Sequence, residues 1–374
     1  MATQQLNETL KALSKKYGDH IIRKGSELPN SRKIALDIPM YDYVTTGGTL
    51  VNHITEFYGD FSSLKSYFMY RSIGQFQKYD WANNVPGVIV GVRRTKKGRE
   101  VEEEVMVKRG YIPAQPARRK LCALIDFEGS YDKSWGEMLG VDNEELVHIV
   151  PESLNTGIDI IQALLMDPDY CLVCIDSMIA TGADAETDAS MENEQMAVNA
   201  RFWNKATRKM KGSMNKNPEK DITLMAVNGF YSKVGITFGN PEVVKNGEQF
   251  KLAKDVSIRT TALKELKGKV SGVEIVLGRN IKLTNKKNKF GTPFLEGTLF
   301  FHFADDDEVG TKAGTTDVAT QLIDIGTAYG LIERAGNTYS FQTTKGVGME
   351  NFKKALAKSG DIKVLKEECY SRFK

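Results

Sequence analysis

Histidine and cysteine are scarce, with four of each in 374 residues. The histidines are scattered, and none pairs with a neighbour at metal-ligand spacing. Cys171 and Cys174 form a C-x-x-C, but no second pair completes a zinc site. They lie inside the apolar run CLVCID, where strand alternation points the two side chains to opposite faces. Buried strand thiols are therefore favoured over metal or redox chemistry. With Cys122 and Cys369 they fit a reducing, intracellular setting. No apolar run is long enough to span a bilayer, and the start, MATQQLNETLKAL, is polar and amphipathic rather than a signal sequence. A cytoplasmic protein without a membrane partner is expected. Repeats and low-complexity tracts are also missing. Neither charge sign dominates: 51 Lys and Arg stand against 48 Asp and Glu, net +3. This permits nucleic-acid binding without demonstrating it.

What is there is ordinary for a folded chain, 41% hydrophobic and 26% charged. The length allows one large α/β core and a smaller domain. Leu6, Leu10, Leu13 and Tyr17 recur at helical spacing, and the linker KGSELPNSRK follows. A lone helix of this size must dock elsewhere on the chain or on another subunit. From Ile34 to Phe303 apolar strands alternate with helical segments. Strands are expected at Ile54–Tyr58, Gly87–Val92, Leu121–Phe127, Leu172–Ser177, Ile222–Asn228, Val256–Leu263 and Glu274–Lys282. Helices are expected at Leu64–Gln77, Ser134–Leu139, Gly157–Leu165 and Glu192–Lys211. The pattern predicts a mostly parallel sheet covered by helices on both faces, with an antiparallel extension. Arg93–Lys120 reads as a charged insertion, either a solvated excursion or a basic arm for DNA or a partner. The expected division is residues 1–33, a core over 34–303, and a small helix-and-hairpin domain over 304–374.

The richest stretch is ITEFYGDFSSLKSYFM, at 54–69. It is nearly the phosphate-binding loop G-x-x-x-x-G-K-S/T, with Leu64 in place of the second glycine. Such a loop turns backbone N–H groups toward a phosphate chain; its lysine, Lys65, neutralises the outer phosphates and its hydroxyl, Ser66, holds Mg²⁺. Two acids stand at later strand ends. Asp176, closing CLVCIDS, reads either as an acid of the Mg²⁺ shell or as a cap of the next turn. Glu128, in LIDFEGSYD, reads either as a carboxylate that orients water or as a solvent-facing loop acid.

The order loop–Glu–Asp and the surrounding residues resemble the RecA family of recombinases over nearly the whole chain. GDFSSLKS is similar to its phosphate loop and LIDFEGSYDKSWGEMLGVD to its catalytic-glutamate segment. VNGFYSKVGITFGNPEVVKNG resembles its second DNA loop, LTNKKNKFGTPF its interface-lysine segment, and LIDIGTAYGLIERAGNTYSF the start of its C-terminal domain. The bulky residue before Lys65 is closer to the phage UvsX-type branch. The resemblance implies an α/β RecA-like ATPase core and a helical filament on single-stranded DNA that pairs with homologous duplex. It implies ATP and Mg²⁺ as cofactors, with Gly59, Ser62, Ser63, Lys65 and Ser66 on the triphosphate and Ser66 and Asp176 on the metal. Glu128 would activate water, Asp132 and Trp135 would flank the adenine, and Ser177 would stand beside Asp176. Lys287 and Lys289 would reach the nucleotide of the adjacent subunit. Arg201, Arg208, Lys233, Val234, Phe238 and Asn240 would face DNA. A bacterial or phage-infected cell, a single-strand-binding protein and a loader belong to the same picture.

Two positions depart from the family pattern. Leu64 lacks glycine's conformational freedom, and Gly229 stands where the family has Gln or His to sense the terminal phosphate. These favour an alternative, a DNA-coating filament or mediator with little hydrolysis, whereas Glu128, Lys287 and Lys289 favour hydrolysis. A hexameric helicase with the same core is disfavoured by the N-terminal helix and the C-terminal unit.

Overall fold

The computed structural model describes residues 2–17, 31–85, 88–94, 100–106, 117–178, 189–232, 242–244, 247–270, 273–305 and 311–373. Its contacts divide the chain into residues 1–32 and residues 33–374. The first unit holds the helix Ala2–Tyr17, over the amphipathic stretch.

The largest sheet among the described residues, in the second unit, has eight strands. In spatial order they are Glu296–His302, Val273–Asn288, Val256–Val270, Ile54–Gly59, Thr223–Asn228, Tyr170–Asp176, Leu121–Asp126 and Leu146–Ile149. Every pairing from Val256–Val270 to Leu146–Ile149 is parallel. The two pairings on the other side are antiparallel. This is the mostly parallel α/β sheet expected from the alternation of strands and helices.

The central strands carry continuous apolar runs because both faces are covered. All of TLMAVN is buried, and so is all but the first residue of YCLVCID. On one face the helix Lys65–Lys78 brings Phe68 against Phe57 and Tyr41, with ring centroids 5.7 Å away in each pair. On the other face the helices Leu154–Met166 and Ala189–Lys216 bring Ile161, Trp203 and Met210 against Val173 and Ile175. Each such side chain contributes roughly 1.5–3 kcal/mol by leaving water.

Three expectations are corrected here. Cys171 does not face away from Cys174; both join the same core cluster. The register steps from Leu121↔Tyr170 to Cys122↔Leu172, so Cys171 is an extra residue without a partner, and alternation fails at such a bulge. Its Sγ lies 3.7 Å from that of Cys122. The described part of the stretch expected as a core strand, 88–92, lies elsewhere: Val88–Arg94 pairs antiparallel with Glu100–Met106 in a separate two-stranded sheet. The expected insertion, Arg93–Lys120, shares its first residues with that two-stranded sheet. Its last basic residues are structural. Lys120 is buried and paired with Glu219 at 2.6 Å and Asp221 at 2.9 Å, while Arg118 pairs with Glu219 at 2.8 Å. Asp80 fixes the root by accepting the Ala82, Asn83 and Arg118 N–H groups.

After the sheet come the helix Val318–Ala328, three short antiparallel strands and the helices Met349–Ser359 and Asp361–Ser371. The turn at Gly330 has φ +68°. This region packs back on the helix Pro39–Val44: Gln321 accepts the Met40 N–H at 3.0 Å, and the Tyr370 hydroxyl donates to the buried Asp42 at 2.7 Å. Among the described residues no helix is long and apolar enough to cross a membrane.

Candidate nucleotide site

The strand Ile54–Gly59 ends where only glycine fits. A Cβ on Gly59 would lie 2.0 Å from the Thr260 carbonyl oxygen of the neighbouring strand. The chain then turns through Ser62 and Leu64, at φ 56° and 66°, and enters the helix Lys65–Lys78. Leu64 thus holds the left-handed conformation that the missing glycine would hold, at a cost of about 1–2 kcal/mol. Its half-buried side chain packs on the aromatic core and offsets part of that strain. No side chain caps this helix. Its first N–H groups are therefore a cradle for an anion.

Ser63 is locked between the Asp60 carbonyl and the Thr260 hydroxyl, 2.7 Å from each. Lys65 folds back on the loop, donating to the carbonyls of Gly59 at 3.0 Å and Asp60 at 2.5 Å. Burial lowers its pKa, against the pull of Asp176, Asp60 and Glu128. Ser66 donates to Asp176 Oδ2 at 2.8 Å. Burial is the main cause that pushes the Asp176 pKa up to about 6; the Glu128 and Asp126 charges add to it, and Ser66 and Lys65 oppose it. Glu128 is exposed, and its Oε1 accepts a short hydrogen bond from the buried Ser177 hydroxyl. Residues far apart in sequence thus converge as two pairs, Ser66–Asp176 and Ser177–Glu128, at the C-terminal ends of parallel strands.

Other expected residues stand differently. Asp132 caps the helix Lys133–Met138 by accepting the Trp135 N–H at 2.7 Å, so its carboxylate has a structural task whatever else it contacts. Trp135 is half-buried against the core. Lys287 and Lys289 are not brought to the phosphate loop of their own chain. Lys287 donates to the Lys251 and Leu252 carbonyls at 2.9 and 3.1 Å, and Lys289 pairs with Asp255 at 2.9 Å. Arg201 and Arg208 are exposed on the helix Ala189–Lys216, whose Trp203, Ala206 and Met210 are buried. Lys233, Val234, Phe238 and Asn240 lie outside the described residues.

Sequence reasoning missed a buried polar network behind the site. Glu56 accepts from Asn228 at 3.0 Å and Ser257 at 2.6 Å, and pairs closely with Lys254. The Asn228 amide is thereby committed to the core, beside Gly229. It also missed Asp126, which lies directly across from Asp176 in the strand register. A second acid two residues before Glu128 was its only trace in the sequence.

The RecA N-terminal domain family matches residues 98–306, more than half of the chain. RecA proteins of two Streptococcus pneumoniae strains, Hungary19A-6 and CGSP14, are each 28% identical over 365 residues, covering 96% of this chain and 80% of the relative. A solved RadB recombinase chain aligns with a TM-score of 0.44 at 14% identity, covering 73% of this chain and 96% of that one.

Proposed function

This chain belongs to the RecA N-terminal domain family, and on that footing we propose that it is an ATP-dependent recombination protein. It forms a helical filament on single-stranded DNA and pairs that strand with homologous duplex. We set it near the phage UvsX-type branch because of Leu64, and in a bacterial or phage-infected cell. The observation that carries the reading is the meeting of Ser66, Asp176, Ser177 and Glu128 beside an uncapped helix N-terminus. Hydroxyl and carboxylate oxygens suit Mg²⁺, and free N–H groups suit phosphate.

The residues fit Mg²⁺–ATP. Ser66 and Asp176 would hold the metal, which supplies charge neutralisation on the phosphates. The loop from Gly59 through Ser62 and Ser63 would wrap the phosphate chain, and Lys65 would exchange its two loop carbonyls for phosphate oxygens. Glu128, aimed by Ser177, would take a proton from the attacking water. Asp132 and Trp135 would border the base. Lys287 and Lys289 would leave Asp255 and the Lys251 and Leu252 carbonyls to reach nucleotide on an adjacent copy, so that nucleotide binding and polymerisation are one linked equilibrium. Arg201, Arg208 and the segment with Lys233, Val234, Phe238 and Asn240 would meet DNA, where backbone charge and base stacking supply most of the affinity. A single-strand-binding protein and a loader complete the partners.

Lys65→Ala should abolish ATP-dependent filaments and joint molecules; filaments that persist on single-stranded DNA would refute the reading. Gly229, with no side chain for the terminal phosphate, favours a second reading, a coating filament that hydrolyses little. ATP turnover measured with and without single-stranded DNA separates the two.

A further inference from the structure

We propose that His148 and Asp126 are positioning residues for Glu128. The inference rests on the hydrolytic reading above and adds to it the device that aims the water-activating carboxylate.

Asp126 is the last residue of its strand and only 1% exposed. A carboxylate buried this deeply is costly unless its lone pairs are taken. Three donors take them, and two belong to the turn that carries Glu128. Oδ1 accepts the Glu128 N–H at 3.1 Å, and Oδ2 accepts the Tyr131 N–H at 2.9 Å. The third donor is His148 Nε2, 3.1 Å from Oδ2. We assign the proton of this contact to Nε2, so that the carboxylate accepts.

His148 comes from the neighbouring strand Leu146–Ile149, at the edge of the sheet. Its ring also lies against Tyr131, with centroids 5.2 Å apart. The Tyr131 hydroxyl in turn donates to Asn143 at 2.7 Å. The Glu128 turn is therefore held at its backbone by Asp126 and at its carboxylate by Ser177. Both anchors sit on adjacent strand ends, because Asp126 pairs in register with Asp176, the residue before Ser177. Losing the imidazole leaves one oxygen of a buried carboxylate with a single backbone donor. The carboxylate can then rotate off the Glu128 N–H, and the catalytic oxygen drifts. Outer partners of metal ligands typically change activity ten- to a hundredfold, and a loss of that order is expected for this carboxylate too.

The test is steady-state ATP hydrolysis by the full-length chain on single-stranded DNA. The set is wild type, Glu128→Gln, His148→Ala, His148→Gln and the Glu128→Gln/His148→Ala double variant. His148→Ala should lower kcat at least about tenfold with KM for ATP within about twofold. His148→Gln keeps an N–H at similar reach and should recover most of the loss. The double variant should turn over no more slowly than Glu128→Gln alone, since His148 acts only through Glu128. An unchanged kcat in His148→Ala, or losses that multiply in the double variant, overturns the inference while leaving the hydrolytic reading in place. A wild type that does not hydrolyse ATP overturns both.

Discussion

Asp176 and Asp255 are both only 4% exposed, at opposite ends of the same parallel sheet, yet their acidities move in opposite directions. Asp176 stands at the phosphate-loop end. Burial first and neighbouring acids second raise its pKa to about 6, against one hydroxyl and one lysine. Asp255 stands where the strand Ile54–Gly59 begins, accepting the Ile54 N–H at 3.2 Å. Burial opposes its ionisation too, but His53, Lys289, Lys211 and that N–H together hold it well below the usual carboxylate range. The difference is the supply of cations. Lys289 and Lys211 serve Asp255 within the fold, whereas Asp176 has Lys65 set against two neighbouring acids. Asp42 shows that a raised pKa does not by itself make a site. Burial lifts it to about 7, but its partners are the Leu36 N–H and the Tyr370 hydroxyl in a packed joint.

The largest effect expected from this contrast is catalytic. Asp176→Asn should reduce Mg²⁺-dependent ATP turnover about a thousandfold while leaving the melting temperature without nucleotide unchanged or higher. A clear drop in that temperature would break the comparison. The next effect is on stability. Asp42 binds a proton when folded between pH 4 and 7, where the unfolded chain has already lost it. Stability should therefore fall as pH rises through that window, by on the order of 2–4 kcal/mol, and level off above it. Asp42→Asn should flatten the slope in urea titrations at several pH values.

Asp255→Asn should behave in the opposite sense, losing about 2 kcal/mol at neutral pH, discounted because its lysines are partly exposed. The native contribution is present above the unfolded pKa near 3.9 and disappears as pH falls through the depressed folded value. The variant should then lose less of its remaining stability in acid than the wild type, as thermal melts between pH 2 and 7 can check. The smallest effect concerns Leu64. Leu64→Gly should change stability by less than about 1 kcal/mol, because relief of left-handed strain offsets lost packing. Leu64→Ala keeps the strain and should lose about 1–2 kcal/mol. Equal losses in chemical denaturation would show that the backbone strain at Leu64 is not felt.

Much of this was legible in the chain because it is local. Gly59, Lys65 and Ser66 are close neighbours, and the apolar runs before Glu128 and Asp176 mark strand ends by composition alone. The alternation of strands and helices was enough for a mostly parallel sheet. The short strands Leu146–Ile149 and Glu296–His302 went unread, because neither shows a distinctive period over so few residues. The stretch 87–92 has strand composition, but composition does not say which edge a strand joins. Cys171 was misassigned because a bulge, which breaks the period of two, depends on the partner strand.

The amino-acid order by itself determined the Gly59–Lys65–Ser66 loop, the two acidic strand ends and the layered α/β core, since each depends on residues within one turn or one strand of each other. Only the tertiary structure decided that Ser66 meets Asp176, that Ser177 donates to Glu128, and that His148 and Asp126 stand behind that turn. The same holds for the ties that keep Lys287 and Lys289 away from the loop of their own chain. Those are contacts between elements far apart in sequence, brought together by a strand order that is chosen by the burial of whole faces rather than by any short stretch of sequence.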